Sequence, residues 1–184
     1  MNGSPRPDGN TAFALKECAK AIEAAGVETE TISLAGKNIQ SCTACMSCFE
    51  NKKCAIDDGL NEIIDQIKES DGFIVGAPVY FGTPRGDVLS ALQRIGYVSL
   101  ASGGFLSRKV GGPVSLAANE GILASNQDML VFFLANDMIV PGTDLMCGAK
   151  GQKPGDVAHD ERGLANIRKF GDNVAFLINL LGKN

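Results

Sequence analysis

No stretch of the chain approaches the roughly 20 consecutive apolar residues that a membrane-spanning helix needs, so no transmembrane segment is expected. The N-terminal run MNGSPRPDGN also lacks the apolar core of a secretion signal. A cytoplasmic, reducing setting follows, and it disfavours disulfides. Positive charge is in short supply, with 17 Lys and Arg against 21 Asp and Glu and a net charge of −4. That balance argues against the basic footprint of a nucleic-acid binder. The single histidine, His159, precedes Asp160-Glu161-Arg162 and reads as a solvated residue at a helix start. No catalytic acid, base or nucleophile stands out. There is no low-complexity tract and no internal repeat. With 184 residues and 45% hydrophobic content, the chain suits one well-cored domain over residues 1–184 and is too short for two.

Against these absences stand six cysteines, four of them packed into a C-x2-C-x2-C-x5-C run at Cys42, Cys45, Cys48 and Cys54. Thiolates this dense can hold an iron-sulfur cluster. Structural zinc sites more often pair two C-x2-C halves across a longer spacer. The two overlapping C-x-x-C steps therefore favour a [4Fe-4S] cluster, with zinc or metal-free thiols as the alternatives. Cys18 sits one turn after Ala14 and Leu15 and one turn before Ala21 and Ile22, the spacing of a buried small hydrophobe in a helix. Cys147, in LMCGAKG, receives no role.

Helix and strand signals alternate along the chain. Residues 11–25 read as a helix with Asn10 or Thr11 as cap, stopped by Gly26. Residues 28–34 (ETETISL) are strand-like, and a cysteine-rich loop follows at about 35–58. Asp57 and Asp58 complement the dipole of a second helix carrying Leu60, Ile63, Ile64 and Ile67 and ending near Ser70. The nearly continuous apolar run GFIVGAPV, 72–79, is the pattern of a buried parallel strand. A helix at 86–95, a strand at 109–117, a helix at 122–135, a short strand at 138–140 and a last helix at 160–181 complete the series. This order predicts a parallel sheet covered on both faces, with ligands beyond the carboxyl ends of its strands.

Three loops lie at those ends. GSPRPDGNT (3–11) leads into the first helix, so its hydroxyls, amide and helix N–H groups can cradle a phosphate beside Arg6. It lacks the lysine of a nucleoside-triphosphate loop, which favours a monophosphate. PVYFGTP (78–84) offers aromatic rings and close backbone to a flat ring; the alternative is a plain aromatic turn. AANEG (117–121) would let a ligand approach, or is a simple strand-to-helix turn.

Taken in order, GSPRPDGNT, the cysteine run followed by Asp57-Asp58, and APVYFGTPRG resemble the flavodoxin-like NAD(P)H-dependent FMN reductase superfamily, in its iron-sulfur flavoprotein branch. The resemblance implies a doubly wound parallel sheet of order 2-1-3-4-5. It also implies FMN phosphate held by Ser4, Arg6, Asn10 and Thr11, and a ring beside Pro78, Tyr80, Phe81 and Gly82, bordered by Asn119 and Gly121. Cys42, Cys45, Cys48 and Cys54 would carry the cluster. The implied activity is FMN-dependent electron transfer from NAD(P)H or a ferredoxin-type donor, in a homodimer or homotetramer. A non-enzymatic electron carrier, or a cofactor-poor variant with a zinc-type site, is the alternative. Such proteins usually begin with a short hydrophobic strand, whereas only Met1 and Asn2 precede Gly3 here. The first strand is therefore expected to be missing, and the phosphate loop to be loosely held. Gln93-Arg94 departs from the usual Asp-Arg.

Overall fold

The run from Gly72 to Tyr80 is apolar at almost every position because both of its faces are covered. In the computed structural model, which describes residues 1–144 and 147–182, it forms β1 (Gly72–Tyr80). It pairs in parallel with β3 (Val110–Ala117), from Gly72 opposite Val110 to Pro78 opposite Leu116. Every residue of β3 is buried. Its far edge pairs in parallel with β4 (Gly148–Lys150), while β2 (Thr83–Pro84) folds back antiparallel on the end of β1. The sheet order is β2-β1-β3-β4. The strand expected at 138–140 shrinks to one parallel bridge, Ile139 to Val110, and the ladder resumes only at β4, which the sequence had not suggested.

Helices cover both faces. On one, α1 (Asn10–Ala24) packs Ala14, Cys18 and Ile22 against Ile167, Phe170 and Val174 of α6 (Glu161–Leu181). On the other lie α3 (Leu60–Glu69), α4 (Gly86–Ala101) and α5 (Ile122–Ala135), joined through Ile63, Ile64, Ala91, Ile95, Met129 and Phe133. A doubly wound α/β layering of this kind buries the hydrophobic stripe of each helix against the sheet. Cys18 is 1% exposed, and burial pushes its thiol up to about 12, so it behaves as the small hydrophobe its spacing suggests. Cys147 is buried at the start of β4. The cysteine loop carries a short helix not anticipated from sequence, α2 (Ser47–Asn51), bracketed by left-handed Met46 and Lys52.

The missing first strand is reduced to three residues and not wholly absent. Asn2 bridges in parallel to Ser33 on one side and to Gly76 on the other. Five backbone bonds fix this stub: Met1 N to Ile74 O, Gly76 N to Met1 O, Gly3 N to Gly76 O, Asn2 N to Ile32 O and Leu34 N to Asn2 O. Gly3 is required by close approach, since a Cβ there would lie 2.3 Å from Val88 Cγ2. The phosphate loop is thus anchored in the sheet, and the expectation of a loosely held loop is corrected. Beside the stub, a groove of about 770 Å³ separates residues 27–32 from the start of β1. Because no longer strand lies between them, the expected 28–34 strand contributes a single bridge, at Ser33.

Strand spacing sets a test. A Cβ at Gly111 would stand 1.8 Å from the Phe73 carbonyl oxygen, so Gly111→Ala has to force β1 and β3 apart. We expect a loss of about 3 kcal/mol, read from urea unfolding midpoints; an unchanged midpoint would contradict the close pairing.

Candidate functional site

Four loops meet at the carboxyl edge of the sheet, and side chains tie them together. The phosphate loop runs from the stub into α1, whose N-cap is Gly9 and not the expected Asn10 or Thr11. Gly9 offers no side-chain cap and the first turn holds no acidic residue. The first N–H groups of α1 therefore receive no side-chain cap from Gly9. Ser4 is buried; its N–H donates to Asn2 Oδ1 and its Oγ accepts from Arg6 N at 3.1 Å, which curls the loop. Arg6 is exposed and Thr11 is 2% exposed in the first turn. The Asn10 side chain is already occupied: Nδ2 donates to Gly151 O and Lys153 O, and Oδ1 accepts from Gly155 N. It staples α1 to the loop after β4.

The ring-type loop follows β1. Pro78 is half-buried, Tyr80 is 48% exposed, and Phe81 stands fully exposed with φ of 53°, a left-handed backbone unusual for an aromatic residue. Gly121, at φ of 97°, begins α5 against this turn: a Cβ on it would lie 3.0 Å from Gly82 Cα. Asn119 is exposed, and Glu120 beside it pairs with Lys150 of β4 at 3.0 Å. Arg85 closes the set, with Nη1 at 3.3 Å from Gly3 O and 2.7 Å from Asp87 Oδ2. The fit to a phosphate-bearing flat cofactor is good in kind: an uncapped helix start, an exposed cation, two aromatic rings and a close-packed glycine pair along one edge.

The cysteines lie on the α3–α4 side. Cys42, Cys45, Cys48 and Cys54 line one cleft with Met46, Ile56, Tyr97 and Val98. Burial raises the Cys48 thiol, opposed by a backbone hydrogen bond and reinforced by the other three cysteines. Among the described residues, no three Cys, His, Asp or Glu side chains stand close enough to bind one metal ion. The four thiols share one cleft and suit a thiolate-held metal group in donor type, but they are not gathered around a point, so the loop would have to draw in as such a group binds.

One residue of this region was missed in the sequence. Arg94 of α4 is 1% exposed and uses all five of its donors. Nε donates to Cys54 Sγ at 3.2 Å; Nη1 to Gln40 O at 3.1 Å and Asp58 Oδ2 at 2.5 Å; Nη2 to Ile56 O at 3.1 Å and Asp58 Oδ1 at 3.0 Å. Burial would lower its pKa, but Asp58 and Cys54 outweigh that, so it stays charged. Burial likewise pushes Asp58 up, and bonds from Arg94 and from the Gln40 and Leu60 N–H groups more than reverse it. The available signal was a lone arginine between Ala91 and Val98 on the buried face of an otherwise apolar helix, where a charge requires a partner.

A parallel sheet wrapped on both sides, with its ligand-type loops at the carboxyl edge, defines a flavodoxin-like α/β protein. Solved structures agree: RosB with a bound 8-demethyl-8-formylriboflavin-5'-phosphate aligns with TM-score 0.77 at 16% identity, over 100% of this chain and 79% of that one. A WrbA-like flavodoxin from Agrobacterium tumefaciens aligns with TM-score 0.62 at 14% identity, over 97% and 94%. Residues 1–152 match the NADPH-dependent FMN reductase family, and the chain belongs to it. An iron-sulfur flavoprotein of Methanocaldococcus jannaschii is 39% identical over 190 residues, covering 100% of this chain and 97% of the relative. Another, from Methanosarcina thermophila, is 27% identical over 187 residues, covering 100% and 96%. These relatives place it in the iron-sulfur flavoprotein branch.

The Asp58–Arg94 pair gives a pH test. Asp58 has a lowered folded pKa, so it stabilises the fold above the ordinary aspartate value of about 4, and that contribution is lost as pH falls through the folded value below it. Asp58→Asn is expected to cost about 3–5 kcal/mol near neutral pH and to flatten the acid side of a stability-versus-pH curve. An acid limb as steep as that of the native chain would contradict it.

Proposed function

We propose that the chain is an FMN-dependent oxidoreductase that takes electrons from a reduced nicotinamide or a ferredoxin-type donor, with a [4Fe-4S] cluster on Cys42, Cys45, Cys48 and Cys54 as the electron relay. The observation that carries this reading is that one helix touches both sites. Arg85, at the N-cap of α4, donates to Gly3 of the phosphate loop, and Arg94 of the same helix donates to Cys54 Sγ. Nine residues of α-helix correspond to about 14 Å along the axis. A phosphate-type site and a cysteine cleft are therefore fixed to each other by a rigid element.

Bound FMN would supply hydride acceptance on one side and single-electron exchange on the other. The chain's own residues do the rest. The α1 N–H groups and Arg6 would hold the phosphate, and Ser4 keeps the loop curled through its bond from Arg6 N. Asn10 acts by holding the loop after β4 against α1. Tyr80 and Phe81 would offer ring faces, the open space beside Gly82 would admit a flat ring, Gly121 packs against that turn and supports it, and Pro78 and Asn119 border the same edge. The strained Phe81 backbone is the kind of outlier that gathers at ligand sites. Among the described residues no helix is long and apolar enough to cross a membrane. The reading takes the chain to work in the cytoplasm as a homodimer or homotetramer.

The test is flavin extraction joined to substitution of the cysteines. FMN, not FAD, is expected in the extract, because the site has one phosphate loop. Replacing Cys45, exposed on the loop, or Cys48, half-buried in α2, with Ser should abolish the broad cluster absorbance and leave the fold intact. Recovery of FAD, or iron at full stoichiometry in both variants, would contradict the proposal; bound zinc in place of iron would favour a zinc-type site. Steady-state NAD(P)H oxidation separates an enzyme from a carrier.

A further inference from the structure

Cys54 differs from the other three cysteines in how it is held. Its N–H donates to Asn61 Oδ1 and its carbonyl accepts from Asn61 Nδ2, both at 3.0 Å, so the first turn of α3 clamps its backbone. Its sulfur accepts from the Arg94 Nε–H at 3.2 Å. By contrast, Cys42 Sγ accepts a 3.4 Å bond from Ala44 N within its own loop. The guanidinium that reaches Cys54 is 1% exposed, and its remaining donors hold Gln40, Ile56 and Asp58, which flank the cysteine run on both sides. A donor and a positive charge shielded from water are thus aimed at one sulfur of the four.

We propose that Arg94 is the positioning residue of the cysteine site: it fixes Cys54 as the anchored ligand and sets the electron affinity of the group the four cysteines hold. This rests on the cluster reading above. Hydrogen bonds to cluster sulfurs and local charge are among the determinants of reduction potential. A buried N–H aimed at a ligand sulfur draws electron density from it and favours the reduced state. Asn61 provides the contrast, because it fixes the backbone of the same cysteine without touching the sulfur.

The experiment compares the native chain, Asn61→Ala, Arg94→Lys and the double variant Arg94→Gln with Asp58→Asn, which leaves no charge buried alone. Each is reconstituted anaerobically with iron and sulfide, assayed for iron, and titrated by spectroelectrochemistry. The double variant should lower the equilibrium constant for cluster reduction at least tenfold, a shift of 59 mV to more negative potential for a one-electron couple. Arg94→Lys keeps the charge but loses the forked donor, and should shift in the same direction by less; it supplies the reading if the double variant takes up too little iron. Asn61→Ala should leave the potential where it is. A native potential in the Arg94 variants at full iron loading, or an equal shift in Asn61→Ala, would overturn the proposal while sparing the cluster reading. Failure of the native chain to take up iron would overturn both.

Discussion

Burying a guanidinium against four backbone and side-chain acceptors and a sulfur is the constraint around which the cysteine region is organised. A charge taken out of water is costly unless it is paired and fully hydrogen-bonded. Arg94 meets that condition only if Gln40, Cys54, Ile56 and Asp58 all come to the same side of α4. The loop between residues 40 and 58 has little helix or strand of its own, so its ends are defined by this demand. Asp58 then serves twice, since its carboxylate also accepts the Leu60 N–H at the start of α3. Within the loop, Lys52 donates to Ala101 O at the end of α4. Between these anchors the cysteines face one cleft.

The flavin-type edge depends on a different device. Met1, Asn2 and Gly3 bond on both flanks, to the start of β1 and to residues 32–34. What a phosphate loop needs from a strand is a fixed point of departure, because preorganised N–H groups lose little entropy on binding. The stub, the Asn10 staple and Arg85 together provide it.

Much of this was legible in the sequence, and the exceptions share a physical cause. Periodicity identified the five longer helices, though not α2, and the two central strands, because burial on both faces leaves an unmistakable apolar run in β1 and β3. It failed for residues 28–34, whose β-rich composition is real but whose ladder partner is three residues long, and for β4, too short to leave a pattern. Helix caps were misread where a polar side chain at the right place, Asn10, was committed to a distant loop. The ordered motifs located the loops at the carboxyl edge of the sheet and the cysteine run, because each is local in sequence. Arg94 was not legible as a site residue from motifs, since its partners lie 36 to 54 positions away and only the fold brings them together.

We propose that one chain holds a flavin mononucleotide beside the N-terminus of α4 and a cysteine-bound cluster against the middle of the same helix. An anaerobic absorption spectrum taken with iron, sulfide and flavin analysis of the same sample tests it most directly. The account predicts about one FMN and about four iron atoms per chain, with a broad cluster absorbance beneath the flavin bands. Flavin without iron, or iron without flavin, in protein prepared without exposure to air would contradict it.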